Sequence, residues 1–67
     1  MPPKIRELIN ELKKASFTNR GGKGSHRNYR HQKGINITIS GKNSDDAMHY
    51  QVREVRQAIA LSRYEKK

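Results

Sequence analysis

The chain of 67 residues has no cysteine and no tryptophan, and its aromatic residues are three tyrosines and one phenylalanine. The lack of cysteine excludes disulfides and thiolate metal sites, which suits a reducing compartment. No stretch approaches the roughly 20 apolar residues that a membrane helix needs, and the amphipathic, charged start is unlike a signal peptide. We therefore expect a cytoplasmic protein with no membrane segment.

Apolar residues are also scarce, because only 31% of the chain is hydrophobic. A chain of this length has room for one core, so we expect a single domain over residues 1–67. Small domains with a thin core often depend on a metal, a disulfide or a partner for their stability. A partner protein that binds the folded state is therefore expected.

Acidic residues are absent from the whole segment between Asn19 and Gly41, which carries five basic residues. The formal net charge of the chain is +9. A basic surplus concentrated in one segment can simply be a solvated surface, but here it coincides with glycines, histidines and a tyrosine. We therefore favour the binding of a polyanion such as a nucleic-acid backbone.

Two helices are predicted, one at each end of the chain. After Pro2 and Pro3, apolar residues recur at helical spacing, which predicts a helix over residues 4–15. A second helix is predicted over residues 49–63, capped by Ser44, Asp45 or Asp46. Its apolar stripe is expected to consist of Met48, Val52, Val55, Ile59 and Ser62.

Between the helices, residues 17–20, 25–32 and 35–40 are predicted to form three strands. The register of the last two depends on their turn. A three-residue loop at 32–34, with Gly34 left-handed, would pair Tyr29 with Ile37, whereas a two-residue loop would bring Arg30 and Asn28 to the buried face. We expect the first register, because it sets an aromatic ring against β-branched neighbours.

These elements predict an α+β fold. A helix, a three-stranded antiparallel sheet and a second helix follow one another, and both helices cover one face of the sheet. The opposite face stays open. On the predicted register, His26, Asn28 and Arg30 point to that open face.

A metal site is not expected. His26 and His31 lie on opposite faces of one predicted strand, His49 is remote, and the basic segment has no acid to complete a ligand set. The run GGKGS lacks the spacing of a nucleoside-triphosphate loop. We therefore expect neither a metal nor another cofactor.

His26 is the candidate for chemistry, because an imidazole can accept the proton of an RNA 2′-OH, whose oxygen then attacks the adjacent phosphorus. Cations nearby would stabilise the charge that develops. DNA lacks this nucleophile. From these residues alone, proton transfer by His26 and a simple hydrogen bond to phosphate are equally open. The residues expected to hold phosphate are Arg20, Lys23, Gly24, Ser25, Arg27 and Arg30, and Tyr29 is expected to support the strand from the core side.

The motif RGGKGSHRNY at residues 20–29 resembles that of the HicA-type, or YcfA-like, mRNA interferase toxins. KIRELINELKKASF resembles the first helix of that family and the aromatic residue after it. ITIS and VREVRQAI resemble its last strand and closing helix. The resemblance implies the double-stranded-RNA-binding-domain fold and an endoribonuclease that cleaves mRNA without a ribosome, with His26 as its catalytic residue. It also implies a HicB-type antitoxin that covers the site.

Two positions depart from that family. Ser16 stands where members often carry glycine, at some cost if the backbone there is left-handed. The loop GKNSDDAMHY is unlike the commonest form, so antitoxin contacts cannot be carried over to it. Two other functions stay open, a non-catalytic double-stranded-RNA-binding module of the same fold and a basic ribosome-associated protein without a site.

Overall fold

A computed structural model describes residues 2–24 and 26–64 of the chain. Its elements are α1 (Ile5–Lys14), β1 (Thr18–Asn19), β2 (Arg27–Arg30), β3 (Asn36–Ile39) and α2 (His49–Arg63). The strands form an antiparallel sheet in the order β1-β2-β3, and the two helices cover one face. The predicted α+β fold is confirmed. The bounds of α2 are those predicted, whereas α1 and the strands are one or two residues shorter at each end.

The first helix forms where the apolar spacing predicts it, and its buried residues are Ile5, Leu8, Ile9 and Leu12. At its start, the Lys4 backbone N–H donates to the Glu7 carboxylate at 2.6 Å. Its last turn carries Lys13 and Lys14, whose charges suit the negative end of the helix dipole. Sequence and packing therefore agree along the whole of α1.

The end of α1 requires a left-handed residue, and that residue is Ser16, with φ of +70°. The Ser16 N–H donates to the Lys13 carbonyl at 3.1 Å, and the Phe17 N–H donates to the Leu12 carbonyl at 2.9 Å. These two bonds form a Schellman motif, in which glycine is the usual left-handed residue. The cost expected for a serine here is therefore real, and the motif directs Phe17 into the core.

The hairpin between β2 and β3 has the predicted three-residue loop. Tyr29 pairs with Ile37 and Arg27 pairs with Ile39. The His31 N–H donates to the Ile35 carbonyl at 2.9 Å, and Gly34 is left-handed with φ of +85°. This register sends Asn28 and Arg30 to the face that the helices leave open.

The stripe predicted for α2 is right except at Met48: Val55 and Ser62 are buried, and Val52 and Ile59 are partly buried against the core. The buried residues of the helix are Gln51, Val55, Ala58 and Ser62, and Met48 is 64% exposed. The helix is turned towards Gln51 because the amide of that residue has two partners. Its Oε1 accepts the Met48 N–H at 2.8 Å, and its Nε2 donates to the Ser40 carbonyl at 2.9 Å.

The hydrogen bond from the Met48 N–H to Gln51 Oε1 takes the place of the predicted side-chain cap. No side chain of Ser44, Asp45 or Asp46 caps α2, which begins after Met48. Instead, the Asp45 carboxylate accepts the Lys42 N–H at 3.0 Å. The Asp46 carboxylate pairs with the Lys4 ammonium at 2.6 Å. The two acids therefore organise the loop before the helix rather than the first turn of the helix itself.

The core lies between the sheet and the helices. Its largest fully buried side chains are Tyr29, Ile5, Leu8, Leu12, Ile39 and Val55. The Lys33 ammonium closes one end of the molecule by donating to the carbonyls of Ser62 and Tyr64 at 2.9 and 3.0 Å. Within residues 2–24 and 26–64, no helix is long and apolar enough to cross a membrane.

Candidate functional site

The glycine loop, residues 20–24, connects β1 to β2 and begins as a continuation of their pairing. The Arg20 N–H donates to the Asn28 carbonyl at 2.6 Å, and the Asn28 N–H donates to the Gly21 carbonyl at 2.9 Å. Two residues of the loop thus oppose one residue of β2, which is a β-bulge. Gly21 is left-handed at this point, with φ of +93°. The bulge ends the ladder and turns the loop back towards the start of β2.

The loop then passes close to the backbone of His26. The His26 N–H donates to the Lys23 carbonyl at 3.0 Å. A Cβ atom added at Gly22 would overlap the His26 carbonyl oxygen and lie 2.9 Å from its carbonyl carbon. Only a residue without a side chain fits there. The loop therefore fixes the position of His26 through backbone contacts, and the His26 side chain is exposed.

The open face of the sheet is polar. Asn28 and Arg30 of β2 are exposed, as are Thr38 and Asn36 of β3. The Thr38 hydroxyl donates to Asn28 Oδ1 at 2.8 Å, which leaves the Asn28 amide group as a donor on this face. A shallow depression of about 320 Å³ lies here, and Arg20 and Arg30 contribute to its lining. This surface offers hydrogen-bond donors and two guanidinium groups.

The positive charges of this region are not neutralised within the described chain. Across residues 2–24 and 26–64, the ion pair that is present joins Lys4 to Asp46. Arg20, Lys23 and Arg30 are exposed and make no ion pair with the described acids. A polyanion that lies across the open face would therefore meet the guanidinium groups of Arg20 and Arg30.

Of the residues predicted to bind phosphate, Arg20 and Arg30 line the same depression on the open face. Lys23 and Gly24 of the glycine loop and His26 after it are exposed. Tyr29 is 2% exposed and lies in the core beneath β2, on the side predicted for it.

Arg27 is placed elsewhere. It pairs with Ile39 on the helix-covered face, and its guanidinium donates to the Gly41 carbonyl at 3.1 Å. It is therefore separated from Arg20 and Arg30 by the sheet. Ser25 lies outside the described residues, so its phosphate contact stays a prediction from the sequence.

Three residues of this region were not singled out from the sequence. Asn36 and Thr38 line the open face beside Asn28, as the predicted alternation along β3 implies. Gly22 is the third, because its close approach to the His26 backbone is visible only in three dimensions.

The three histidines do not meet. His26 is exposed at the start of β2, His49 is exposed at the start of α2, and His31 is buried. The described residues contain no group of three His, Cys, Asp or Glu side chains arranged to hold a metal ion. Of the three, His26 is the one that adjoins the glycine loop, and it is exposed.

The family model of the HicA toxin of bacterial toxin–antitoxin systems matches residues 5–61, which include both helices up to Leu61 and the whole sheet. No curated protein matches the chain significantly. The match covers the glycine loop, His26 and the open face.

Proposed function

Because this chain belongs to the HicA toxin family of bacterial toxin–antitoxin systems, we propose that it is an endoribonuclease that cleaves mRNA without a ribosome. The observation that carries the proposal is the exposed His26 at the end of a cationic, acid-free loop beside an open polar face. A single-stranded RNA can lie on such a face with its phosphates on arginine and lysine side chains.

In the proposed reaction, His26 removes the proton of a ribose 2′-OH. The oxygen attacks the adjacent phosphorus, and the bond from phosphorus to the 5′-oxygen of the next nucleotide breaks. That oxygen takes a proton from the imidazolium or from water. The products are a 2′,3′-cyclic phosphate and a 5′-hydroxyl. A positioned base of this kind contributes about 10²–10⁴-fold to the rate, and no step requires a metal.

The phosphate is held by the loop and the open face together. Arg20, Lys23 and Arg30 place positive charge where negative charge accumulates in the transition state. The backbone of the loop at Gly24, left-handed with φ of +58°, has no side chain to keep a phosphate at a distance. We leave Arg27 out of this set, because its guanidinium is engaged with Gly41 on the other face.

The proposal also includes a partner and a compartment. As a toxin of a toxin–antitoxin pair, the chain is expected to act in the cytoplasm, where mRNA is the substrate. A HicB-type antitoxin would block it by covering His26 and the cations around it. The excess of positive charge on the chain, +9, favours an antitoxin with an acidic contact surface.

Replacing His26 by alanine tests the proposal. Cleavage of RNA by purified protein should fall about 10²–10⁴-fold, and growth arrest on expression should be lost. Because His26 is exposed, the melting temperature should stay the same. His49→Ala is the matched control, since His49 is also exposed and lies at the start of α2.

Two results would decide against the enzyme. If His26→Ala degrades RNA as fast as wild type, any cleavage has another origin. If neither protein cleaves RNA while both bind double-stranded RNA, the chain is a non-catalytic binding module of the same fold.

A further inference from the structure

A groove separate from the open face runs along the outward side of α2. Its volume is about 990 Å³. The aliphatic part of its lining comes from Pro2, Pro3, Ala47, Met48, Val52 and Ala60. Met48 is 64% exposed, although the sequence pattern predicts it in the core. The groove is therefore a candidate binding surface, and the residues at its border indicate which kind of molecule it can bind.

The charged residues of this groove are all of one sign. Arg53 and Arg56 line it, and no acid does. Arg56 also lines an adjoining depression with Lys14 and Arg63, where Glu11 is the acid present. The acid of the same helix, Glu54, lies on the other side of α2, against β3. The apolar floor therefore has a positively charged border.

We propose that this groove binds an acidic, amphipathic helical segment of a partner protein. The groove follows α2 from His49 to Ala60, which is about 18 Å of helix and matches about three turns of a partner helix. Leucine-like side chains at helical spacing would cover Val52 and Ala60. Glutamate or aspartate beside them would pair with Arg53 and Arg56.

The chemistry of the lining favours a peptide over RNA and over a second copy of this chain. Proline, alanine and valine side chains offer no donor to a phosphate or a ribose, so an RNA would gain polar contacts only from His49, Gln57 and the two arginines. A second copy carries the same net charge of +9, so the two chains would repel each other. An acidic amphipathic segment can cover the apolar floor and also pair with the arginines at the border.

Occupation of the groove leaves the open face accessible. The helices cover the face of the sheet opposite to Asn28 and Arg30, and the groove lies on the outer side of α2. A segment bound there would hold a partner on the protein without covering His26. Binding of the partner and inhibition of the open face are then separable, which goes beyond the proposed nuclease function.

The test is a titration of the ¹⁵N-labelled protein, followed by NMR. The probe is a synthetic peptide about 15 residues long, with leucine and glutamate at amphipathic helical spacing. The matched probe has lysine in place of every glutamate. We expect the glutamate peptide to shift the amide signals of residues 47–60 and to saturate. The lysine peptide should not bind, and the signals of Asn28 and Arg30 should stay in place.

Reversing the charge of the two arginines tests whether they hold the acidic residues of the peptide. Arg53→Glu with Arg56→Glu should weaken the glutamate peptide at least about tenfold. The control pair is Arg6→Glu with Lys13→Glu, which changes the net charge equally at exposed positions outside the groove. Ala60 is exposed on the floor of the groove, so Ala60→Glu should weaken binding of the glutamate peptide without unfolding the protein.

The proposal is overturned if the glutamate peptide leaves the groove signals unchanged, or if it shifts only the glycine loop. It is equally overturned if a single-stranded RNA oligonucleotide saturates the groove, or if the protein dimerises through it. None of these readouts depends on RNA cleavage, so failure of the nuclease proposal leaves this test intact.

Discussion

His26 and His31 lie on the same segment of chain, five positions apart, and their surroundings are opposite. The His31 ring is 5% exposed and contacts the Phe17 ring, with 5.2 Å between the centroids. Its Nδ1 accepts the Lys33 N–H at 3.1 Å. His26 is exposed, and the contacts that position it are made by its backbone with Gly22 and Lys23.

The difference gives His31 a structural role and leaves His26 free for the chemistry that we propose. A histidine whose ring packs against an aromatic ring and whose nitrogen has a partner contributes to the core. A histidine held only through its backbone keeps both ring nitrogens available to a substrate. His26 directly precedes β2 and His31 directly follows it, so the two side chains lie in different surroundings at the two ends of one strand.

Gly22→Ala should have the largest effect of the variants that test how His26 is positioned. The new Cβ would overlap the His26 carbonyl group, so the loop and His26 must move. A displacement of about 1 Å costs about 10²-fold in turnover. Single-turnover cleavage of RNA should fall by that factor, while the affinity for RNA changes little, because Arg20 and Arg30 remain.

Gly34→Ala is the control for Gly22→Ala. Gly34 is left-handed with open space around it, so alanine there strains the turn and lowers the free energy of unfolding by about 1–2 kcal/mol. Its cleavage rate at a temperature where it is folded should equal that of wild type. Full activity of Gly22→Ala would show that the loop does not position His26.

His31→Ala should have the opposite effect, because it should lower the free energy of unfolding without lowering the rate of RNA cleavage. Removal of a large buried side chain costs about 2–5 kcal/mol in the free energy of unfolding. His31→Phe keeps a ring against Phe17 and removes the acceptor of the Lys33 N–H, so it should cost only about 1 kcal/mol. Denaturant unfolding measures both values. If folded His31→Phe cleaves RNA much more slowly than wild type, His31 is needed for cleavage as well as for stability, and the proposed separation of the two roles is wrong.

Ser16→Gly should have the smallest effect, and the surroundings of His26 and His31 should stay unchanged. Serine at φ of +70° is strained, and glycine removes that strain while making the unfolded chain more flexible. We expect a net gain of about 0.5–1 kcal/mol, which raises the melting temperature by a few degrees. Cleavage should not change. A lower melting temperature would mean that the Ser16 side chain stabilises the helix end in another way.

The strand register was predictable from the sequence because two local signals agree. Glycine at position 34 suits the left-handed residue of a three-residue loop, and isoleucine alternates at 35, 37 and 39. Either register would have formed a hairpin, but one of them buries Tyr29. The open face and its exposed Asn28 and Arg30 follow from that choice.

The burial of Gln51 in place of Met48 was not predictable in the same way. Hydropathy ranks methionine above glutamine as a core residue, yet Met48 is exposed and Gln51 is buried. The reason is the Ser40 carbonyl, which accepts a hydrogen bond from the Gln51 amide across the fold. Arg27 is similar, because its partner Gly41 is distant in the chain. Local patterns carry no information on such partners.

A single 2′-deoxy nucleotide tests most directly whether His26 acts on a ribose 2′-OH. The RNA is first cleaved by wild-type protein to map a cleavage position, and a second RNA then carries the deoxy sugar at that position alone. We predict that cleavage there disappears, that the oligonucleotide is still bound, and that other positions are cut as before. Undiminished cleavage at the deoxy position would contradict the proposed role of His26.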